Sequence, residues 1–328
     1  MSKFFVKLAG FLVLVLLAHI GTSFLFPVRE VVQYRRGLRK RFEAGQPVAF
    51  FGDSCAFSWN GEADMRSTPV LLDELLPGRQ VADFAMIARN MDDHLQTIRF
   101  MEREGYRPEF AVIEVNLRAF AEPWQVRPQF RLTKEKLITG ASPLFLTLGF
   151  RPLSVFKVFE LAPVDAAKAA GIPIEVEGIG AMPFGEIDRL LASEEVDMAT
   201  RIALLYRVSY MLDIQPSDPE VAAMQACARL LKRMGVTPLF FFEPIPYDVG
   251  NDYVGPEFAQ RVQDGLDRLT EFLRQEGVEP VDLSHCVELG DFLTDPVPND
   301  HLAAAGRLRL AECLAAALCE AAPPSARP

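Results

Sequence analysis

A serine in the turn after the first apolar strand and a histidine near the far end of the chain are the groups best suited to nucleophilic chemistry. Residues 47–53, Pro-Val-Ala-Phe-Phe-Gly-Asp, read as a short buried strand, and Ser54 opens the turn that follows. Its hydroxyl then stands at the carboxyl end of a strand, where open α/β sheets place their ligands. A neutral hydroxyl is a weak nucleophile until a base removes its proton. His301, in a loop just before a C-terminal helix, is the candidate base. The two lie near opposite ends of the chain, so only a sheet that gathers distant segments brings them together.

Such a sheet is legible from residue 45 onward. Apolar strands at 80–84, 109–116, 238–242 and 279–283 alternate with helical patterns at 70–76, 90–104, 219–234, 256–276 and 302–320. In the second helix Met91, Leu95, Ile98 and Met101 recur at spacings of three and four. Alternating strands and helices imply a parallel sheet covered on both sides. The expected fold is α/β, a flavodoxin-like three-layer sandwich of about five parallel strands. Between 121 and 216 the alternation breaks down into a stretch rich in Pro and Phe, including Phe145, Phe150, Phe156 and Phe159. An α-rich insertion there is either a lid over the strand ends or a subdomain whose phenylalanines form a small core of their own.

Three blocks, in order, resemble the SGNH/GDSL hydrolase superfamily. Gly52-Asp53-Ser54 looks like its first block. Asn116, ending the third strand, sits where that family keeps an oxyanion-hole asparagine. His301-Leu302 with Gly306 is similar to its last block. The resemblance implies acyl transfer through an acyl-enzyme, with Ser54 as nucleophile and His301 as general base and acid. The implied oxyanion donors are the Ser54 amide, the Asn116 side chain and the Arg89 amide. The family's glycine is missing from the loop Ala85-Met86-Ile87-Ala88-Arg89-Asn90, and the Arg89 cation could instead meet an anionic substrate or solvent. The family's acid stands three residues before the histidine, where this chain has Pro298. Asp300, with Asp295 as the alternative, is the expected third catalytic residue, and a serine–histidine dyad is the remaining option. Asp53 is expected to bond to nearby backbone and shape the turn.

The amino terminus carries a different signal. Leu8 to Pro27 is an almost unbroken apolar run, and about 20 such residues suffice to cross a bilayer as a helix. Residues 1–45 hold eight Lys/Arg against two Glu, or +6, so with a net charge of −10 the rest of the chain carries −16. An acidic body argues against nucleic acid as a partner, because phosphate binding needs clustered cations. The domains read as 1–44 membrane anchor and basic segment, 45–322 α/β domain with the insertion 121–216, and 323–328 tail. The basic segment follows the span, which by the positive-inside rule puts the domain in the cytoplasm. The resemblance points to the opposite, periplasmic face of a single-pass inner-membrane protein, which is the expectation adopted. The basic segment could also lie on anionic headgroups, with Val31, Val32, Leu38 and Phe42 towards lipid.

The five cysteines show no metal or redox spacing, and His94 and His285 lack ligand partners at suitable spacing. Neither a metal nor another cofactor is expected. Cys55 as nucleophile is disfavoured because Ser54 holds the motif position. The function implied is a serine esterase or O-acyltransferase acting on an acylated cell-envelope glycan or lipid. The alternative is a catalytically silent domain that binds a glycan or a partner membrane acyltransferase.

Overall fold

A computed structural model of the chain describes residues 2–25, 29–58, 62–126, 138–140, 142–148, 170–293 and 300–321. Five parallel strands form one sheet: β1 (Val48–Phe51), β2 (Val81–Asp83), β3 (Phe110–Val115), β6 (Thr237–Phe242) and β7 (Val281–Asp282). Their order is β2-β1-β3-β6-β7. The chain therefore leaves β1 towards one edge and returns to build the other, and the loops after β1 and β3 emerge side by side.

Strand residues alternate between two cores. Ala49, Phe51, Ala111, Ile113, Val115, Phe240 and Phe242 pack on one face, with α4 (Met91–Glu104), α9 (Pro219–Met234), α10 (Tyr247–Tyr253) and α11 (Glu257–Gln275). Val48, Phe50, Phe110, Val112, Leu239 and Phe241 pack on the other, with α3 (Thr68–Leu75) and α12 (Ala304–Ala321). Both faces of the central strands β1, β3 and most of β6 are thus buried, which is why they read as continuous apolar runs, while edge strand β7 is partly exposed. Local signals bound the helices. Asn90 and Asp93 form a capping box on α4, and Gly105 ends it with φ of 78°. Asp218 caps α9, and Gly235 ends it with φ of 75°.

The amino terminus departs from a simple anchor followed by a free basic segment. Helix α1 spans Ser2–Leu25, and its Lys3–Ser23 stretch is long and apolar enough to cross a membrane, with its apolar side chains from Phe4 to Leu17 exposed. Helix α2 (Arg29–Glu43) belongs to the globular body. Val31, Leu38 and Phe42 are buried in protein, with the Phe42 ring 5.0 Å from that of Tyr106 and 5.8 Å from that of Phe100. Only Val32, of the four apolar residues expected to face lipid, is exposed. Arg35 and Arg39 pair with Glu104, and Arg35 also lies over the Phe100 ring. An apolar stripe with basic flanks suits a protein groove as well as a lipid surface, and here α4 supplies the groove.

The insertion contains more than helices. Strands β4 (Pro173–Val176) and β5 (Gly180–Pro183) form an antiparallel hairpin. The hairpin packs with α7 (Phe184–Ala192) and α8 (Met198–Tyr210) around a small core of Ile174, Val176, Phe184, Ile187, Leu204 and Val208. Tyr206 and Tyr210 on the other side of α8 enter the main core. Segment α5 (Glu122–Val126) follows β3, and α6 (Pro143–Leu148) touches α1, where His19 Nε2 lies 2.5 Å from the Leu148 carbonyl. Phe145 is half-buried beside Val31 and Leu146, while Phe150, Phe156 and Phe159 fall outside the described residues.

Candidate active site

The turn after β1 is built by Asp53. Its Oδ1 accepts the Cys55 amide at 2.7 Å, which caps a short 3-10 turn, Ser54–Ala56. This is the backbone role expected for Asp53. Its Oδ2 also accepts from Asn116 Nδ2 at 2.8 Å, joining the turn after β1 to the end of β3. As the first residue of the 3-10 turn, Ser54 has an amide that needs no partner within the turn.

His301 is delivered by a second backbone device. Phe292 and Leu302 form an antiparallel bridge, the Leu293 amide donates to the His301 carbonyl, and the Ala303 amide donates to the Asp291 carbonyl. Gly306 is needed here, because a Cβ would stand 2.5 Å from the Asp291 carbonyl oxygen. Arg307 is fully buried and donates to the Leu302, Asp64 and Arg66 carbonyls and to Glu62. It ties the start of α12 to the loop before α3.

These two devices bring His301 Nε2 within 3.1 Å of Ser54 Oγ, across 247 positions of sequence. That is hydrogen-bond distance for a nucleophile and its base. On the far side of the ring, Nδ1 is 3.5 Å from Asp300 Oδ1. That gap exceeds a formed hydrogen bond, and Oδ1 is buried with no donor among the described residues. Burial lowers the His301 pKa, and the Asp300 carboxylate opposes that shift. The imidazole is therefore neutral at neutral pH, as a base must be. Asp295, the alternative acid, lies outside the described residues.

Two site residues are placed differently from expectation. Asn116 Nδ2 points at carboxylates, Asp53 Oδ2 and Asp300 Oδ2 (3.2 Å), and its Oδ1 accepts the Arg118 amide. Arg89 meets neither solvent nor an open cleft. It is 4% exposed, donates to Tyr34 on α2 and sits 3.8 Å from Asp93. The backbone beside it compensates for the absent glycine, since Ala88 adopts φ of 59°, the left-handed region. Alanine is a small residue with which to enter that region, at a cost of roughly 1 kcal/mol relative to glycine.

Arg118 and Glu114 were not legible as site residues. Arg118 Nε lies 2.5 Å from Asp300 Oδ2 and its guanidinium stacks 5.0 Å from the Trp124 ring. Burial opposes its charge, but Asp300 more than restores it, so it stays cationic. Glu114 in β3 is 2% exposed and Glu243 after β6 is 1% exposed. The one available signal was an acid inside the otherwise apolar run Phe-Ala-Val-Ile-Glu-Val, since carboxylates are rarely buried without a partner.

The other reactive side chains fall into structural roles. Cys55 is 3% exposed, and burial followed by the charge of Asp300 pushes its thiol well above the usual range. It is not a thiolate nucleophile. All five cysteines are free. His94 is buried edge-on to Phe51, and burial lowers its pKa to about 3. His285 stacks on Tyr247 at 4.1 Å. The side chains of Asp53, Cys55, Glu114 and Glu243 converge closely enough to suggest a cation site, yet Asp53 already accepts two hydrogen bonds and Glu114 one. Comparison with protein-family models and with curated proteins finds no match.

Proposed function

We propose that this protein is a membrane-anchored SGNH-type serine esterase or O-acyltransferase acting on an acylated cell-envelope glycan or lipid. The carrying observation is the 3.1 Å approach of His301 Nε2 to Ser54 Oγ. The strand order supports the flavodoxin-like arrangement of such a domain. Ser54 Oγ attacks the ester carbonyl carbon while its proton passes to His301 Nε2. The tetrahedral oxyanion is met by the Ser54 amide and by the loop amide at Arg89, which follows left-handed Ala88. Collapse expels the alcohol, which takes the proton from His301. Water or a sugar hydroxyl then attacks the acyl-enzyme with His301 again as base. Asp300 orients the ring by closing its 3.5 Å gap as positive charge develops on the imidazole. Asn116 joins the oxyanion site only by giving up one of its carboxylate bonds; as found, it braces the acids.

A fluorophosphonate probe tests this reading on the full chain in detergent. Wild type is expected to gain one adduct by intact mass, mapped to Ser54, and Ser54→Ala none. Equal labelling of both, or no labelling of wild type, favours the second reading: a silent domain binding a glycan or a partner membrane acyltransferase. The engagement of Asn116 with carboxylates is the observation on that side.

Helix α1 supports single-pass anchoring in the inner membrane, and the envelope substrate requires the domain on the outer face. Arg35 and Arg39 are used in docking α2 to Glu104, so they have a role besides orienting the chain. Alkaline phosphatase fused after residue 43 is expected to be active. An inactive fusion, with an active cytoplasmic reporter at the same point, reverses the orientation.

A further inference from the structure

We propose that Glu114 and Glu243 share one proton and form a positioning device that holds the Gly52-Asp53-Ser54 turn beneath the nucleophile. The register of the sheet brings the pair together. Glu114 stands opposite Phe241 in the β3–β6 ladder, and Glu243 lies two residues further on, so both carboxyls project to the same face. A carboxyl oxygen of each lies within 4.8 Å of the other, in a cluster completed by Asp53 and Cys55. Among the described residues neither oxygen of Glu243 has a donor, although the residue is only 1% exposed. Two carboxylates can hydrogen-bond only when a proton lies between them, and two adjacent buried charges do not both persist.

The turn rests on this pair. Glu114 Oε2 accepts the Asp53 amide at 2.8 Å. Gly52 leaves room for that oxygen, because a Cβ there would stand 2.3 Å from it. The glycine before the serine is thus explained by the glutamate beneath it.

The surrounding charges favour retention of the proton. Asp53 and Cys55 approach from the turn after β1, Asp300 from the segment before α12, Arg118 from the turn after β3, and Tyr210 from α8. Arg118 is taken by Asp300. Burial first, and then the neighbouring carboxylates, push both glutamates well above the usual carboxylate range. A pair with one proton carries a single negative charge. Glu243→Gln reproduces that state: its amide N–H donates to the Glu114 carboxylate, and it has no proton to lose.

The kinetic arm of the test rests on Ser54 as the nucleophile; the spectroscopic arm does not. The rate of fluorophosphonate labelling is measured against pH for the full chain in detergent. Glu243→Ala is expected to slow labelling at neutral pH by roughly tenfold or more, as a displaced nucleophile does. Glu243→Gln is expected to restore the rate. Wild type should lose rate at alkaline pH as the shared proton leaves and the carboxylates repel, and Glu243→Gln should keep it. The same alkaline loss in both proteins, or Glu243→Gln as slow as Glu243→Ala, overturns the proposal. Infrared spectra of ¹³C-glutamate-labelled wild type should show a protonated carboxyl band at neutral pH that Glu243→Gln removes. Absence of that band overturns the proposal even if Glu243→Ala fails to fold or wild type proves unreactive to the probe. One equivalent of a bound divalent metal in wild type, lost in Glu243→Gln, overturns it in favour of a cation.

Discussion

Ser54→Ala and His301→Ala should each lower turnover of a model aryl ester by roughly 10⁴–10⁶-fold, and the double variant should lose little more. The groups act as a unit: without the imidazole the hydroxyl keeps its proton, and without the hydroxyl the imidazole has nothing to activate. Single losses therefore do not add. The pH profile of kcat/KM carries a second expectation. Burial lowers the His301 pKa, so the acid limb of the profile should lie below the ordinary imidazole value of 6.5. The Asp300 charge raises that pKa, so Asp300→Asn should move the limb further down while lowering kcat by several orders of magnitude. Steady-state kinetics of wild type and the four variants across pH checks both. Additive losses from Ser54→Ala and His301→Ala defeat the coupled mechanism. Near-wild-type kcat in Asp300→Asn moves the orienting role to Asp295 or to a backbone carbonyl.

Removing Arg118 should produce the largest loss of stability at the site. Asp300 is fully buried and its Oδ2 lies 2.5 Å from Arg118 Nε, a side chain only 12% exposed. A buried pair contributes little net stability over an apolar pair, but breaking one strands a charge at a cost of about 3–5 kcal/mol. Arg118→Met leaves Asp300 among Asp53, Glu114 and Glu243 with no cation beside it. The expected result is destabilisation of that order, read from chemical denaturation midpoints at constant m-value. Asp300→Asn in the Arg118→Met background should recover part of the loss, because the stranded charge is gone. A loss under about 1 kcal/mol in Arg118→Met, or no recovery in the double variant, contradicts this account.

The main sheet and the meeting of Ser54 with His301 were legible in the sequence for local reasons. Strands buried on both faces must be continuously apolar, and Val48–Phe51, Phe110–Val115 and Thr237–Phe242 are nearly so. Helices with one apolar stripe separate them, and parallel order follows from that alternation. A serine after the first strand and a histidine before the last helix then converge on one edge of the sheet. The hairpin at Pro173–Pro183 was missed because its strands are short, and the burial of Ile174 and Val176 depends on α7 and α8.

The amino acids alone determined the elements of the main sheet, their order along the chain and the apolar span of α1. The partners of each charge were decided only by tertiary structure. Helix α2 has the composition of a lipid-facing segment, and what buries Leu38 and Phe42 is the α4 surface some sixty residues away in sequence. Asn116 has the type and place of an oxyanion donor, yet its amide bonds follow from Asp53 and Asp300, 63 and 184 positions distant. Glu114 and Arg118 each look unremarkable where they stand in the chain, whereas Asp300 stands out only by its place beside His301. The charge that each carries in the folded protein depends on its distance from groups in other segments, and electrostatic energy in a buried site is set by those distances.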